Sequence, residues 1–275
     1  MTVSTRQTIE QEAERSNSRN TYTAILRPEL RKQYDQLLVE LVTSSMTQNE
    51  ALKNAMDPSS FTRELFIRST IETVSRIELM RKVNPLASVR SASIDPILCK
   101  QWGIYAADEG LHGRMFAKDL HTLGVSDEEI YGTPLLFSTE LLAGYLYHTL
   151  EEEGPLGVIT SAYYVESVSA MTQPAWLQGM EKLVGRDATR GAHAHLGIDD
   201  KEDHVGLAWN MCMRLVQTEE DEARFKQHIL KLHSLFVAYA IEVRNLVAGR
   251  PTATVDVAPS AIATSLAAQT PGGSN

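Results

Sequence analysis

The sequence has little cysteine, and the two cysteines it has are isolated. Cys99 and Cys212 lie far apart among 275 residues, and neither stands in a CxxC or CxxH context. This pattern argues against a disulfide framework, a zinc knuckle and an iron–sulfur cluster. We therefore expect a protein of the reducing cytoplasm.

Long apolar runs and concentrated positive charge are also missing. Nowhere do about eighteen apolar residues follow one another without a charge, and the polar N-terminus contains no apolar signal core. The formal net charge is −9, and the basic residues are scattered along the chain. A nucleic acid or an anionic membrane would find no electrostatic attraction. Neither membrane binding nor export is expected, and a small molecule is the expected ligand.

The sequence does contain helical periodicity. Apolar residues recur at three- and four-residue steps between about 27 and 247, and no alternating strand pattern competes with them. Asp57 and Pro58 predict the start of a helix, Asn84 and Pro85 the end of that helix, and Gly124 the end of another. The predicted helices are 29–46, 59–83, 94–123, 135–152, 155–172, 174–185, 188–217 and 220–247.

These helices predict an all-α fold, a single-domain up-and-down bundle that spans residues 27–249. A polar N-terminal segment, 1–26, precedes it. The last stretch, 250–275, is rich in Ala, Thr, Ser, Pro and Gly and has no amphipathic face, which predicts a disordered tail.

Two predicted helices carry acids and histidines at helical spacing. Glu109 and His112 stand at i and i+3, so a carboxylate oxygen and an imidazole nitrogen can meet one metal. Alone, this spacing is common and is usually a solvated ion pair. Asp200 and His204 stand at i and i+4, with His195 close before them. Helix capping would explain the aspartate, but not the histidines.

Lone acids supply the remaining donors. Glu166 lies in an apolar, small-residue stretch, where a buried carboxylate must be paired, protonated or bound to a cation. A salt bridge is the alternative explanation. Glu72 is preferred to Glu78 in helix 59–83 because its neighbours are apolar, whereas Glu78 can pair with Lys82. Oxygen and imidazole donors without thiolate suit iron or manganese better than structural zinc.

The order of these motifs resembles the heme-oxygenase-like diiron oxidases, specifically the group containing the alkene-forming fatty acid decarboxylase. The resemblance covers most of residues 59–217 and is most specific around Glu166, in TSAYYVESVSAMTQPAW. It implies a heme-oxygenase-like bundle that binds two Fe(II) ions and uses O₂ as co-substrate. The implied metal ligands are Glu72, Glu109, His112, Glu166, His195, Asp200 and His204.

One departure from that family concerns the last ligand-bearing helix. Many members have a single His-x-x-x-Asp-x-x-His pattern there, whereas this chain has His195-x-x-x-Asp199 and Asp200-x-x-x-His204. A π-bulge would reconcile the register. The choices between Asp199 and Asp200, and between His193 and His195, stay open.

The resemblance also implies an iron-dependent oxidase or oxygenase. It would act on a small amino acid or carboxylic acid by C–H cleavage, meaning desaturation, oxidative cyclisation or decarboxylation, in natural-product (antibiotic) biosynthesis. Tyr163, Tyr164 and Arg190 are candidates for binding the substrate. N-oxygenation of an amino acid or amine is the alternative activity, and an external electron donor and a homodimer stay open.

Two other function classes remain. A metal-free hydrolase of the same fold would need a nucleophilic cysteine, and neither Cys99 nor Cys212 has supporting neighbours. A non-enzymatic, iron-binding bundle would be expected to carry two Glu-x-x-His helices, and this sequence has one.

Overall fold

The computed structural model describes residues 24–53 and 55–250, and within helix 190–202 it leaves out the side chains of 198–202. The described chain is helical and contains no strand, which confirms the all-α prediction. The predicted 1–26 segment and 250–275 tail lie almost wholly outside the described residues. The α-helices are α1 (Pro28–Gln48), α2 (Arg63–Ala92), α3 (Pro96–Thr122), α4 (Asp127–Gly132), α5 (Phe137–Glu152), α6 (Leu156–Val184), α7 (Arg190–Glu202), α8 (His204–Leu215) and α9 (Glu219–Val247).

Side-chain caps set the starts of the helices that matter most for the site. The carboxylate of Asp95 accepts hydrogen bonds from the first turn of α3, and Pro96 occupies the position where a missing N–H costs nothing. Thr62 caps α2 in the same way. The predicted start at residue 59 is wrong, because Asp57 caps a separate 3₁₀ turn, Pro58–Ser60.

Two prolines lie inside helices, where the sequence predicted helix ends. Pro85 lies within α2 and Pro174 within α6. Each proline removes one backbone hydrogen bond. In α2, however, buried residues continue beyond the proline at Ala87 and Ser91, so packing holds the helix together as far as Ala92. The predicted boundaries at residues 83 and 172 are therefore wrong.

The predicted helix 188–217 is interrupted at Asp203. This residue has φ 48° and ψ 53°, in the left-handed region, and its side chain accepts a hydrogen bond from the N–H of Gly206. On an unbroken helix of about 3.6 residues per turn, His195 and His204 would point to opposite sides, since they are nine positions apart. The left-handed residue, rather than a π-bulge, changes the register between α7 and α8.

The core is built mainly by α3, α6, α8 and α9. Trp102, Tyr163, Trp209 and Phe225 are fully buried in one apolar cluster that also includes much of α6. The long helices α2 and α3 pack against each other along their length. Within the described residues, no helix has the length and apolar character needed to cross a membrane.

Candidate metal centre

Five of the predicted ligands meet inside the bundle, brought together by four helices. Glu109 and His112 come from α3, Glu166 from α6, His195 from α7 and His204 from α8. Their donor atoms form two groups, Glu109 with His112 and His195, and Glu109 with Glu166 and His204. Within each group the donor atoms lie within 4.8 Å of one another. The two groups share Glu109.

Each of the two carboxylate oxygens of Glu109 faces a different group of donors. Its Oε2 lies 3.0 Å from Nδ1 of His112 and 4.0 Å from Nε2 of His195. Its Oε1 lies 3.4 Å from Nδ1 of His204. A carboxylate arranged in this way can bridge two cations, with one oxygen on each.

Three imidazoles around Glu109 keep its carboxylate in the charged form. Burial alone would raise the pKa of Glu109, but the hydrogen bond with His112 and the close contacts with His204 and His195 lower that pKa to about 2. Glu109 at the centre of the cluster is therefore held as an anion.

Glu166 completes the second group. Its Oε1 lies 3.9 Å from Nδ1 of His204 and accepts a 2.7 Å hydrogen bond from the hydroxyl of Tyr105. The ring of Tyr105 also meets the ring of His204 edge-on, with centroids 5.7 Å apart. Sequence reasoning missed Tyr105, although its position four residues before Glu109 places it on the same face of α3.

The position of His195 depends on how α7 begins. Asp119 of α3 accepts hydrogen bonds from the N–H groups of Gly191 (2.7 Å) and Ala192 (2.9 Å), at the first turn of α7. A Cβ atom at Gly191 would collide with the carbonyl oxygen of Met115, so only glycine allows this close approach. His195 then packs edge-on against His112, with ring centroids 4.3 Å apart.

Glu72, which was expected to be a metal ligand, does not lie in the cluster. Its carboxylate is fully buried and forms an ion pair with Arg68, 2.8 Å from Nη2. It also accepts hydrogen bonds from the N–H of Leu136 (3.0 Å) and the hydroxyl of Thr139. Glu78, the alternative, is half-exposed and pairs with Arg81 rather than Lys82. Neither acid belongs to the two groups found among the described residues.

The structure distinguishes between the two candidate histidines of the last ligand segment, His193 and His195. His195 lies in the cluster, whereas His193 pairs with Glu181, 2.5 Å from its Oε2. Asp199 and Asp200 lie within 198–202, whose side chains are outside the described part of the chain.

The three predicted substrate-binding residues lie in different surroundings. Arg190 is exposed and pairs with Asp187 at the surface. Tyr163 is buried in the core and donates a 2.7 Å hydrogen bond to Asp35. Burial and that contact raise its pKa. Of the three, only Tyr164 lines a cavity that adjoins the cluster. The positions of Arg190 and Tyr163 therefore do not support their predicted role.

A cavity of about 440 Å³ adjoins the cluster. Its volume lies in the range of about 300–1,000 Å³ that is typical of small-molecule sites. Glu109, Glu166 and His195 form part of its wall, and most of the remaining wall is apolar. The cluster is therefore accessible to a small, largely apolar molecule held inside the bundle.

The donors fit a pair of first-row transition metal ions. Two carboxylates and three imidazoles, without thiolate, are the ligand types that iron and manganese accept. Two three-donor groups with a shared carboxylate match a dinuclear centre better than a single structural ion. Fold and cluster together define an all-helical protein with a carboxylate and histidine centre that could hold metal.

Comparison with known proteins supports the fold. No protein-family model and no curated protein matches the chain. A solved structure, a domain of unknown function with a heme oxygenase-like fold from Shewanella denitrificans OS217, is similar, with a TM-score of 0.68 and 19% sequence identity. The match covers 79% of this chain and 91% of that chain. The protein therefore has a heme oxygenase-like fold, as predicted, and the likeness carries no information about activity.

Proposed function

We propose that this protein is a non-heme diiron oxidase that uses O₂ to cleave C–H bonds of a small carboxylic acid or amino acid. The observation that carries the proposal is the position of Glu109, whose two oxygens face two separate groups of donors. A buried ion pair with one histidine would need only one of those oxygens.

The residues of the chain would divide the work as follows. Glu109 would bridge the ions, His112 and His195 would bind one of them, and Glu166 and His204 the other. Iron held there would supply the activation of O₂ and the removal of hydrogen from the substrate. Tyr105 would orient Glu166, and the apolar cavity wall would hold the substrate and exclude water.

The composition of the cavity wall and the positions of the cysteines favour C–H cleavage over two alternatives, N-oxygenation and hydrolysis by a cysteine nucleophile. A mostly apolar wall suits an aliphatic or aromatic chain that presents C–H bonds, which favours C–H cleavage over N-oxygenation. A thiol nucleophile is disfavoured, since neither Cys99 nor Cys212 lines the cavity and burial raises the pKa of Cys212.

The direct test is to reconstitute the protein anaerobically with Fe(II), count the bound iron, and follow the visible absorption after adding O₂. We expect about two irons per chain, and a transient band whose decay a substrate acid accelerates. Fewer than one iron per chain in the intact protein would contradict the proposal.

Variants make the test specific to the shared carboxylate. E109A should abolish binding of both irons, whereas H112A and H204A should each weaken mainly one. H121A is the matched control, because His121 lies on the same helix but pairs with Asp127 at the surface. Equal effects of H121A and H112A, or an E109A protein that keeps one tight site, would argue against a bridging Glu109.

A further inference from the structure

Arg76 of α2 brings a positive charge to the wall of the same cavity. Its guanidinium carbon lies 4.2 Å from the ring centroid of Tyr239 and 5.9 Å from that of Phe236, both on α9. Its Nη2 donates a 3.0 Å hydrogen bond to the hydroxyl of Thr73. Its Nη1 is buried and has no hydrogen-bond partner within the described part of the chain.

The nearby acid does not neutralise Arg76. Glu72 stands one turn away on the same helix, but its carboxylate pairs with Arg68 on the preceding turn. No described carboxylate forms an ion pair with Arg76, although the cavity wall around it is mostly apolar. A buried donor without an acceptor is costly, and more so when the group is charged.

A second arginine lies in the same region. Arg244 of α9 also lines the cavity, donates a 2.7 Å hydrogen bond to the carbonyl of Ala55, and forms no ion pair with a described carboxylate. Burial lowers its pKa. Arg76, Arg244 and Tyr239 all line the cavity, so two positive charges lie in its wall.

We infer that Arg76 binds the carboxylate of the substrate, and that the apolar part of the substrate extends toward the metal cluster. A carboxylate would give the buried Nη1 an acceptor and would balance the positive charge with charge-assisted hydrogen bonds. The acid would then lie between α2 and α9, whereas the cluster is built by α3, α6, α7 and α8. The reacting C–H bonds would belong to the chain of the molecule rather than to the carbon next to its carboxylate.

The orientation of the reacting end rests on the proposed function, but binding of the acid at Arg76 does not. The binding experiment therefore uses the full-length protein without metal. Octanoate is the probe, and octanol is the neutral molecule of similar shape. Trp102 and Trp176 line the cavity, so their fluorescence reports occupancy.

We expect the wild-type protein to bind octanoate more tightly than octanol, and R76Q to weaken octanoate binding by about tenfold or more without changing octanol binding. R90Q is the matched control, since Arg90 lies on the same helix but pairs with Glu151 at the surface. R76K keeps the positive charge but lacks the planar guanidinium that can donate two hydrogen bonds to one carboxylate. Its affinity for octanoate should fall between those of wild type and R76Q.

Three results would overturn the inference. They are equal wild-type affinity for octanoate and octanol, unchanged octanoate binding in folded R76Q, and an equal loss for both ligands, which would mean that Arg76 acts through packing alone. The first comparison needs no variant, so it can overturn the inference even if R76Q does not fold, and R76K then tests the residue itself. Iron binding without acid binding would remove this inference and leave the proposed function, and the reverse result would do the opposite.

Discussion

The hydroxyl of Tyr105 donates a 2.7 Å hydrogen bond to Oε1 of Glu166 and so joins α3 to α6 inside the cluster. Both side chains are buried, and the same oxygen of Glu166 faces His204. Tyr105 is therefore a positioning residue, which orients a donor without being one of the five.

Removing that hydroxyl should affect metal binding more than folding. In Y105F we expect one of the two Fe(II) binding events to weaken by about 10–100-fold, because partners that orient metal ligands have effects of that size. Calorimetric titration under anaerobic conditions measures both events. Y145F is the control, since Tyr145 contacts His228 outside the cluster. Two unchanged affinities in Y105F would show that Glu166 is oriented by other contacts.

Glu72 should matter for stability and not for iron. In E72Q we expect the free energy of unfolding to fall by about 3 kcal/mol, because Arg68 keeps a buried charge without its partner. E78Q should change stability by less than about 0.5 kcal/mol, since Glu78 is half-exposed. Urea unfolding measures both variants, and iron counting on the folded proteins completes the comparison. A stable E72Q protein that has lost iron would restore Glu72 as a ligand.

The left-handed conformation of Asp203 should be needed to place His204. D203A loses the cap on Gly206 and puts a Cβ-bearing residue without polar compensation at positive φ, so we expect a loss of about 2 kcal/mol. D203N keeps both an acceptor and a tolerance for this conformation, and should stay within about 0.5 kcal/mol of wild type. Chemical unfolding distinguishes them. Equal stability of D203A and D203N would mean that packing alone maintains the break between α7 and α8, without a contribution from the side chain of residue 203.

The sequence predicted α1, α5 and α9 to within about two residues at each end, because their apolar periodicity is continuous. Of these three, only α9 begins at a side-chain cap, the capping box of Thr218 and Asp221. The prediction failed where packing overrides a local signal. Pro85 and Pro174 are helix-breaking residues by propensity, yet both lie inside long helices because the buried faces continue past them. Periodicity also joined α7 and α8, since a single residue at positive φ leaves no mark in an apolar pattern.

The ligands that were easiest to predict share a helix face with another donor or stand in a distinctive segment. Glu109, His112 and Glu166 are of this kind, and the structure brings them together with His195 and His204. Glu72 was expected among the ligands but lies apart from them, because a buried acid that binds Arg68 looks the same in sequence as one that binds metal. Arg76 was not predicted, because its surroundings come from α9, which is far away in the chain.

Asp95 gives a pH-dependent test of how the cluster helices are held together. It caps α3, which carries Glu109, and its Oδ2 lies 2.6 Å from Nε of Arg214 on α8, the helix that carries His204. Partial burial favours the neutral acid, but the contacts with Arg214 and the N–H of Ile97 outweigh burial and hold the pKa of Asp95 below its usual 3.8.

Because the folded pKa is the lower one, the stability that Asp95 contributes is fully present above the unfolded pKa and is lost as the pH falls through the folded pKa. We therefore expect D95N to be clearly less stable than wild type at about pH 6, and the difference to narrow at about pH 3. Urea unfolding at both values checks this, and a cycle with R214Q isolates the Asp95–Arg214 contribution. A difference that stays constant with pH would show that the carboxylate acts through shape and not through its charge.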